Sequence, residues 1–93
     1  MMNAHEKLVA MFIAQSMSEI IGGWVNAKND SLPDSEEYKE ADEFLSMPHD
    51  DLVDYIYADV MGYMDKGTAK HARFAGTEFI KARISARLKK WGY

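Results

Sequence analysis

Basic residues are concentrated at the end of this chain, in the stretch TEFIKARISARLKKWGY from Thr77 to Tyr93. Cations that flank one apolar seam of a helix can lie along a phosphate backbone or enter a DNA groove. They can equally be solvated, or be attracted to carboxylates of the same protein, and surface charges of that kind contribute little to stability. The candidate basic residues are Lys81, Arg83, Arg87, Lys89 and Lys90.

The segments GTAKHARFAG and TEFIKARISARLKKWG resemble the C-terminal helix-turn-helix of the Fis family of nucleoid proteins, chiefly in the ending RLKKWG. The resemblance covers roughly a quarter of the chain. Thr77 stands where that family usually has a hydrophobic residue after the turn glycine, and the spacing between turn and tail differs. The resemblance implies a dimer in which four side chains face phosphates or bases: Arg83, Arg87, Lys89 and Lys90. DNA binding by residues 68–91 is therefore the alternative hypothesis.

Acidic residues dominate the rest of the chain. Residues 1–65 have a net charge of −11, whereas residues 66–93 have a net charge of +7. An acidic surface of this extent repels DNA over most of the molecule. Its carboxylates could imitate phosphates in a basic groove of another protein, or simply form solvated helix faces. The candidate acidic residues are Glu36, Glu37, Glu40, Glu43, Asp50, Asp51 and Asp54.

No set of residues identifies a reaction. The absence of cysteine excludes disulfides, thiolate catalysis and Cys-ligated zinc. His49 lies beside Asp50, Asp51 and Asp54, but a helix there would turn the aspartates away and leave His49 at its end. No calcium-loop or zinc-protease motif occurs, and no serine or threonine has a recognisable nucleophile context. We therefore expect no enzymatic activity, no metal and no cofactor.

The N-terminal half contains the clearest helix. Asn3 and Glu6 have the spacing of a capping box, and apolar residues recur every three or four positions, which indicates one buried face. That face consists of Val9, Ile13, Met17, Ile20 and Trp24. Glycine disfavours helix by about 1 kcal/mol relative to alanine, so we expect a kink or stop at Gly22-Gly23. The composition of Asn26–Asp34 predicts a loop.

Two further helices are predicted at residues 34–47 and 48–64, with Tyr63 on the buried face of the second. Gly67 would end that helix, and Thr68 would cap the next one. The last segment is poorly amphipathic as one helix, but a break near Gly76 gives its second part a clean apolar seam. That seam consists of Ile80, Ile84, Leu88 and Trp91.

The pattern as a whole predicts an all-α fold: a small bundle of four helices, or five with the break at Gly76, in a single domain spanning residues 1–93. Four apolar side chains fall outside the buried stripes or on an acidic side of a helix. These candidate contact residues are Leu8, Met11, Phe12 and Tyr55. Tyrosine and methionine are enriched at protein interfaces, where they provide adaptable contact area.

We therefore predict a non-catalytic helical protein that binds a macromolecular partner, in the first place another protein, as a regulator, inhibitor or accessory subunit. Its charged faces would orient the encounter, and the surplus apolar face of the first helix would also suit a homodimer. The longest apolar run, Leu8–Ala14, is far shorter than the roughly 20 residues of a membrane span. No signal-peptide pattern begins the chain, so we expect a cytoplasmic protein without a membrane partner.

Overall fold

Five α-helices make up the fold, and the computed structural model describes all residues from 1 to 93. The chain forms no strand, and the predicted all-α bundle is confirmed. The break at Gly76 is confirmed as well, so the last segment forms two helices. In chain order the helices are α1 (Ala4–Asp30), α2 (Glu36–Leu45), α3 (His49–Tyr63), α4 (Lys66–Ala75) and α5 (Thr77–Lys90).

The first helix runs almost the whole length of the molecule. Its 27 residues span about 40 Å at the α-helical rise, and the longest dimension of the protein is 46 Å. Its start is fixed by the predicted capping box, in which Asn3 and Glu6 each accept a hydrogen bond from the other's backbone N–H. The other four helices all pack against α1, which is therefore the spine of the bundle.

The predicted stop at Gly22-Gly23 is wrong, and so is the predicted loop from Asn26, because α1 continues to Asp30. Ile21 is buried just before the two glycines, and Trp24 just after them stacks on Phe44 of α2 at 4.7 Å. Burial of these side chains offsets the unfavourable helix propensity of glycine, so tertiary packing decides the outcome.

The core is formed by side chains from all five helices. Ile13, Met17, Leu52, Ile56 and Ile84 are among its fully buried members. α5 runs antiparallel to α3, since the start of α3 contacts the end of α5 and the end of α3 contacts its start. The predicted α5 seam is buried at three positions and half-buried at its fourth, Trp91.

The junction between α3 and α4 differs from the prediction. α3 ends at Tyr63, and α4 begins at Lys66 after Asp65, whose carboxylate accepts a hydrogen bond of 2.7 Å from the Thr68 N–H. This bond lowers the pKa of the Asp65 carboxyl. Gly67 therefore lies in the first turn of α4, and the side chain that caps the helix is Asp65 instead of Thr68.

By length and composition α1 could also cross a membrane, since an 18-residue window within it has a mean hydropathy of 1.4. A third of that window is buried inside the bundle. The core helix of a water-soluble protein meets the same criterion, so the hydropathy of α1 alone does not assign it to a membrane.

A single residue, Gly76, joins α4 to α5. Its φ of +92° lies in the region that favours glycine, although its ψ of 152° is extended. A Cβ at this position would meet no atom within 4 Å, so only the backbone torsion selects glycine here. A Cβ at Gly23 would likewise meet no atom within 4 Å, but the backbone of Gly23 is helical and does not require glycine.

We expect Gly76→Ala and Gly23→Ala to change stability in opposite directions. Gly76→Ala should lower the free energy of unfolding by about 1–2 kcal/mol, because alanine is strained at positive φ. Gly23→Ala should raise it by about 0.5–1 kcal/mol, because alanine is the better helix former and nothing obstructs its methyl group. Urea denaturation of both variants would measure this, and effects of the same sign would contradict the assignment of either backbone conformation.

Candidate functional site

The apolar residues singled out from the sequence lie on two separate surfaces. Leu8 and Met11 are 43% and 74% exposed on the outward side of α1, and Phe12 is half-buried beside them. Tyr55 belongs to α3, where its ring stands edge-on to Phe44 of α2 at 4.9 Å. The four residues therefore do not form one contact patch, although three of them share the first half of α1.

Two aromatic side chains complete the surface around Leu8 and Phe12. Tyr63 is 71% exposed and lines a cavity with Phe12, and Phe74 is 65% exposed and stacks on His5, one turn before Leu8. We call Leu8, Phe12, Tyr63 and Phe74 the aromatic face. The prediction that Tyr63 lies on a buried face is wrong, because α3 ends at this residue and its side chain is 71% exposed.

A pair of histidines positions Phe74, at one end of the aromatic face. The Nδ1 atoms of His5 on α1 and His71 on α4 are 2.8 Å apart, so one ring donates a hydrogen bond to the other. His5 also stacks on Phe74 with ring centroids 4.7 Å apart. This arrangement fixes α4 against the start of α1 and sets the position of Phe74. The spacing of the two histidines in the sequence gave no signal of the pair.

His49 makes the second long-range histidine contact. Its Nδ1 lies 3.1 Å from the Tyr93 carbonyl oxygen, and its Nε2 lies 2.7 Å from the Ser85 hydroxyl. The backbone oxygen of Tyr93 only accepts, so Nδ1 carries a proton; in the neutral imidazole Nε2 then accepts from the Ser85 hydroxyl. A hydroxyl, a base and a group that orients the base are the parts of an activated nucleophile. However, neither His49 nor Ser85 lines any of five surface cavities with volumes of about 180 to 400 Å³.

The basic residues of α5 point in different directions. Lys81 faces α3, where its Nζ lies 3.1 Å from Asp54 and 5.1 Å from the centre of the Tyr57 ring. Arg83 and Arg87 face α1 instead, and Lys89 and Lys90 are exposed at the helix end. The expected attraction to the protein's own aspartates is therefore realised by Lys81 alone among the basic residues of α5.

The acidic candidates all remain exposed, on α2 and on the first turns of α3. Glu40 and Glu43 lie at the rim of a small slot whose walls are Trp24, Phe44, Met47 and Tyr55. Asp42 of α2, by contrast, accepts a hydrogen bond of 2.7 Å from Lys28. This bond raises the pKa of the Lys28 ammonium group.

No group of three or more His, Asp or Glu side chains is arranged to hold a metal ion. No protein-family model, curated protein or solved structure matches this chain. The surfaces described above combine exposed apolar side chains with charged groups.

We expect His49→Ala to lower the free energy of unfolding by about 1–2 kcal/mol. The substitution leaves the Ser85 hydroxyl and the Tyr93 carbonyl without their partner and releases the start of α3 from the end of α5. Urea denaturation at neutral pH would measure the change.

Ser18→Ala is the matched control for this prediction, because the Ser18 hydroxyl bonds only to the Ala14 carbonyl of its own helix. That variant should change stability by less than about 0.5 kcal/mol. If His49→Ala proved as stable as Ser18→Ala, the hydrogen bonds of His49 between α3 and α5 would not contribute to stability, and the prediction would be wrong.

Proposed function

We propose that this protein is a non-catalytic binding module that contacts a protein partner through its aromatic face, as a regulator, inhibitor or accessory subunit. The observation that carries the proposal is the exposure of three large apolar side chains on neighbouring helices: Leu8, Tyr63 and Phe74. Contiguous apolar surface on a small protein is typical of interaction sites. Aromatic anchors supply a large part of the binding energy at such sites.

The cavity beside the aromatic face supports this proposal. It has a volume of about 400 Å³, with Phe12, Ile20 and Tyr63 on its apolar side. Its polar side is formed by Gln15, Ser16 and Glu19. An apolar depression with a polar rim can receive one apolar side chain of a partner while the rim forms hydrogen bonds around it.

The shape of the molecule also leaves surface available. The accessible area is 6100 Å², whereas a compact monomer of 10.6 kDa would expose about 5500 Å². The molecule therefore exposes about 600 Å² more than a compact chain of its mass. The elongated dimensions of 46 × 23 × 16 Å account for the excess.

We expect substitution of the aromatic face to weaken partner binding without unfolding the protein. Tyr63→Ser combined with Phe74→Ser removes two exposed anchors, so affinity should fall about tenfold or more. Affinity capture from a lysate of the source cell, quantified against the wild type, would measure the loss. Leu32→Ser is the matched control, because Leu32 is 72% exposed in the loop between α1 and α2.

A partner that is retained equally by the double variant and by Leu32→Ser would contradict the role of the aromatic face. Circular dichroism and melting curves of both variants would check that each keeps its helices. Since Tyr63 and Phe74 are mostly exposed, their replacement should change stability little.

DNA binding by residues 68–91 is the second candidate, favoured by cations that have no carboxylate partner: Arg83, Arg87, Lys89 and Lys90. Two observations argue against DNA binding. A helix-turn-helix joins its helices by a turn of three or four residues, whereas here Gly76 alone lies between α4 and α5. In addition, the outward stripe of α5 contains Glu78, Ala82 and Ala86, and Lys89 near the helix end is its one basic residue.

We therefore expect fluorescence anisotropy of a labelled DNA duplex to stay unchanged on addition of the protein, even at low salt. Phosphate contacts by several Arg and Lys side chains would instead give an affinity that falls steeply as salt is raised. Such a salt-dependent affinity, lost in Arg83→Gln with Arg87→Gln, would favour the DNA-binding alternative.

A further inference from the structure

A groove between α1 and α5 combines three cations with an apolar floor. It has a volume of about 320 Å³ and no carboxylate in its wall. We call it the cationic groove, and its lining residues are Met2, Lys7, Ala10, Met11, Ala14, Arg83 and Arg87. The side chains of Ala10 and Ala14 are short, so a partner can approach the backbone of α1 closely.

The three cations of the groove have no anionic partner in the molecule. The ion pairs of the structure are Lys28–Asp42 and Lys81–Asp54, so Lys7, Arg83 and Arg87 belong to neither. Like charges gathered at one groove repel each other, and a carboxylate-bearing partner would relieve that repulsion. Arginine is well suited to this role because its guanidinium group can bind a carboxylate through two parallel hydrogen bonds.

Met11 gives the groove an apolar projection. Its side chain is 74% exposed and forms part of the groove wall. A methionine side chain is flexible and polarisable, and it makes favourable contacts with aromatic rings. The surface that would complement the groove therefore carries carboxylates at its rim and aromatic rings inside it.

The same chain has such a surface. We call it the acidic slot; it is lined by Trp24, Glu40, Glu43, Phe44, Met47 and Tyr55, with a volume of about 180 Å³. Its rings are already ordered, since Phe44 stacks on Trp24 at 4.7 Å and meets Tyr55 edge-on at 4.9 Å. Glu40 and Glu43 are exposed and belong to no ion pair.

The cationic groove and the acidic slot cannot meet within one molecule. Met11 and Trp24 belong to the same unbroken helix, and the thirteen positions from one to the other correspond to about 20 Å along its axis. The same separation turns their side chains roughly 140° apart around α1. Contact between the two surfaces therefore requires two copies of the chain.

We infer that the cationic groove is the docking site for the acidic slot of a second copy of this chain. Met11 of one copy enters the slot of the next, while Lys7, Arg83 and Arg87 face Glu40 and Glu43. Because the two surfaces face in directions about 140° apart around α1, one neighbouring copy cannot engage both, so the contact is head-to-tail and its repetition produces a ring or an open filament. This self-association uses residues outside the aromatic face and is independent of the proposed partner binding.

Two variants, each lacking one surface, would test the inference. The groove variant carries Met11→Ser, Arg83→Gln and Arg87→Gln, and the slot variant carries Glu40→Gln and Glu43→Gln. Sedimentation velocity at low salt, on protein freed of nucleic acid, should show species larger than a monomer for the wild type. Their fraction should rise with protein concentration and fall with salt, because the contact depends on charge.

Each variant alone should sediment as a monomer, since its association is weakened about tenfold or more. An equimolar mixture of the two variants should form a dimer and nothing larger. In that mixture the intact slot of the groove variant binds the intact groove of the slot variant. The substituted groove and the substituted slot remain at the two ends of this dimer and bind no further copy. The control Lys89→Gln with Lys90→Gln changes charge on α5 outside the groove and should associate like the wild type.

A wild type that stays monomeric at low salt and high concentration would overturn the inference. So would a mixture that forms no dimer, or a control that dissociates as fully as the groove variant. Both test variants keep Leu8, Tyr63 and Phe74, so capture of a protein partner through the aromatic face should be unaffected. Loss of self-association and loss of partner binding are thereby separate results.

Discussion

The fold depends on the continuity of α1. The other four helices all pack against this helix, with α4 fixed near its start through His71 and α2 near its end through Asp42. A stop at Gly22-Gly23 would separate the part of α1 that contacts α4 from the part that contacts α2. The burial of Ile21 and the stacking of Trp24 keep the helix intact through its weakest point.

Local patterns predicted the parts of the fold that local forces decide. The capping box of α1, the seam of α5 and the break at Gly76 each follow from a few neighbouring residues, and all three are present. Patterns failed where distant residues compete with propensity. The path of α1 beyond Gly23 depends on packing against α2, and the exposure of Tyr63 depends on where α3 ends relative to its neighbours.

The candidate site was predictable only in part, for the same reason. The outward position of Leu8 and Met11 follows from the helical period of α1, but their neighbours Tyr63, Phe74 and Arg83 come from helices remote in sequence. The histidine contacts join residues 66 and 36 positions apart, a separation over which no spacing rule operates. The ion pairs could not be predicted either, because the net charges of two segments do not determine which individual side chains meet.

Two methionines of α1 differ sharply in exposure, and this difference has a chemical consequence. Met11 is 74% exposed, whereas Met17 is fully buried two turns further along the same helix. Oxidation converts the flexible thioether into a polar sulfoxide, and methionine sulfoxide reductases reverse the change. An oxidant in solution therefore reaches Met11 long before Met17, so mild oxidative conditions would alter the outer surface of α1 while the core that supports it stays reduced.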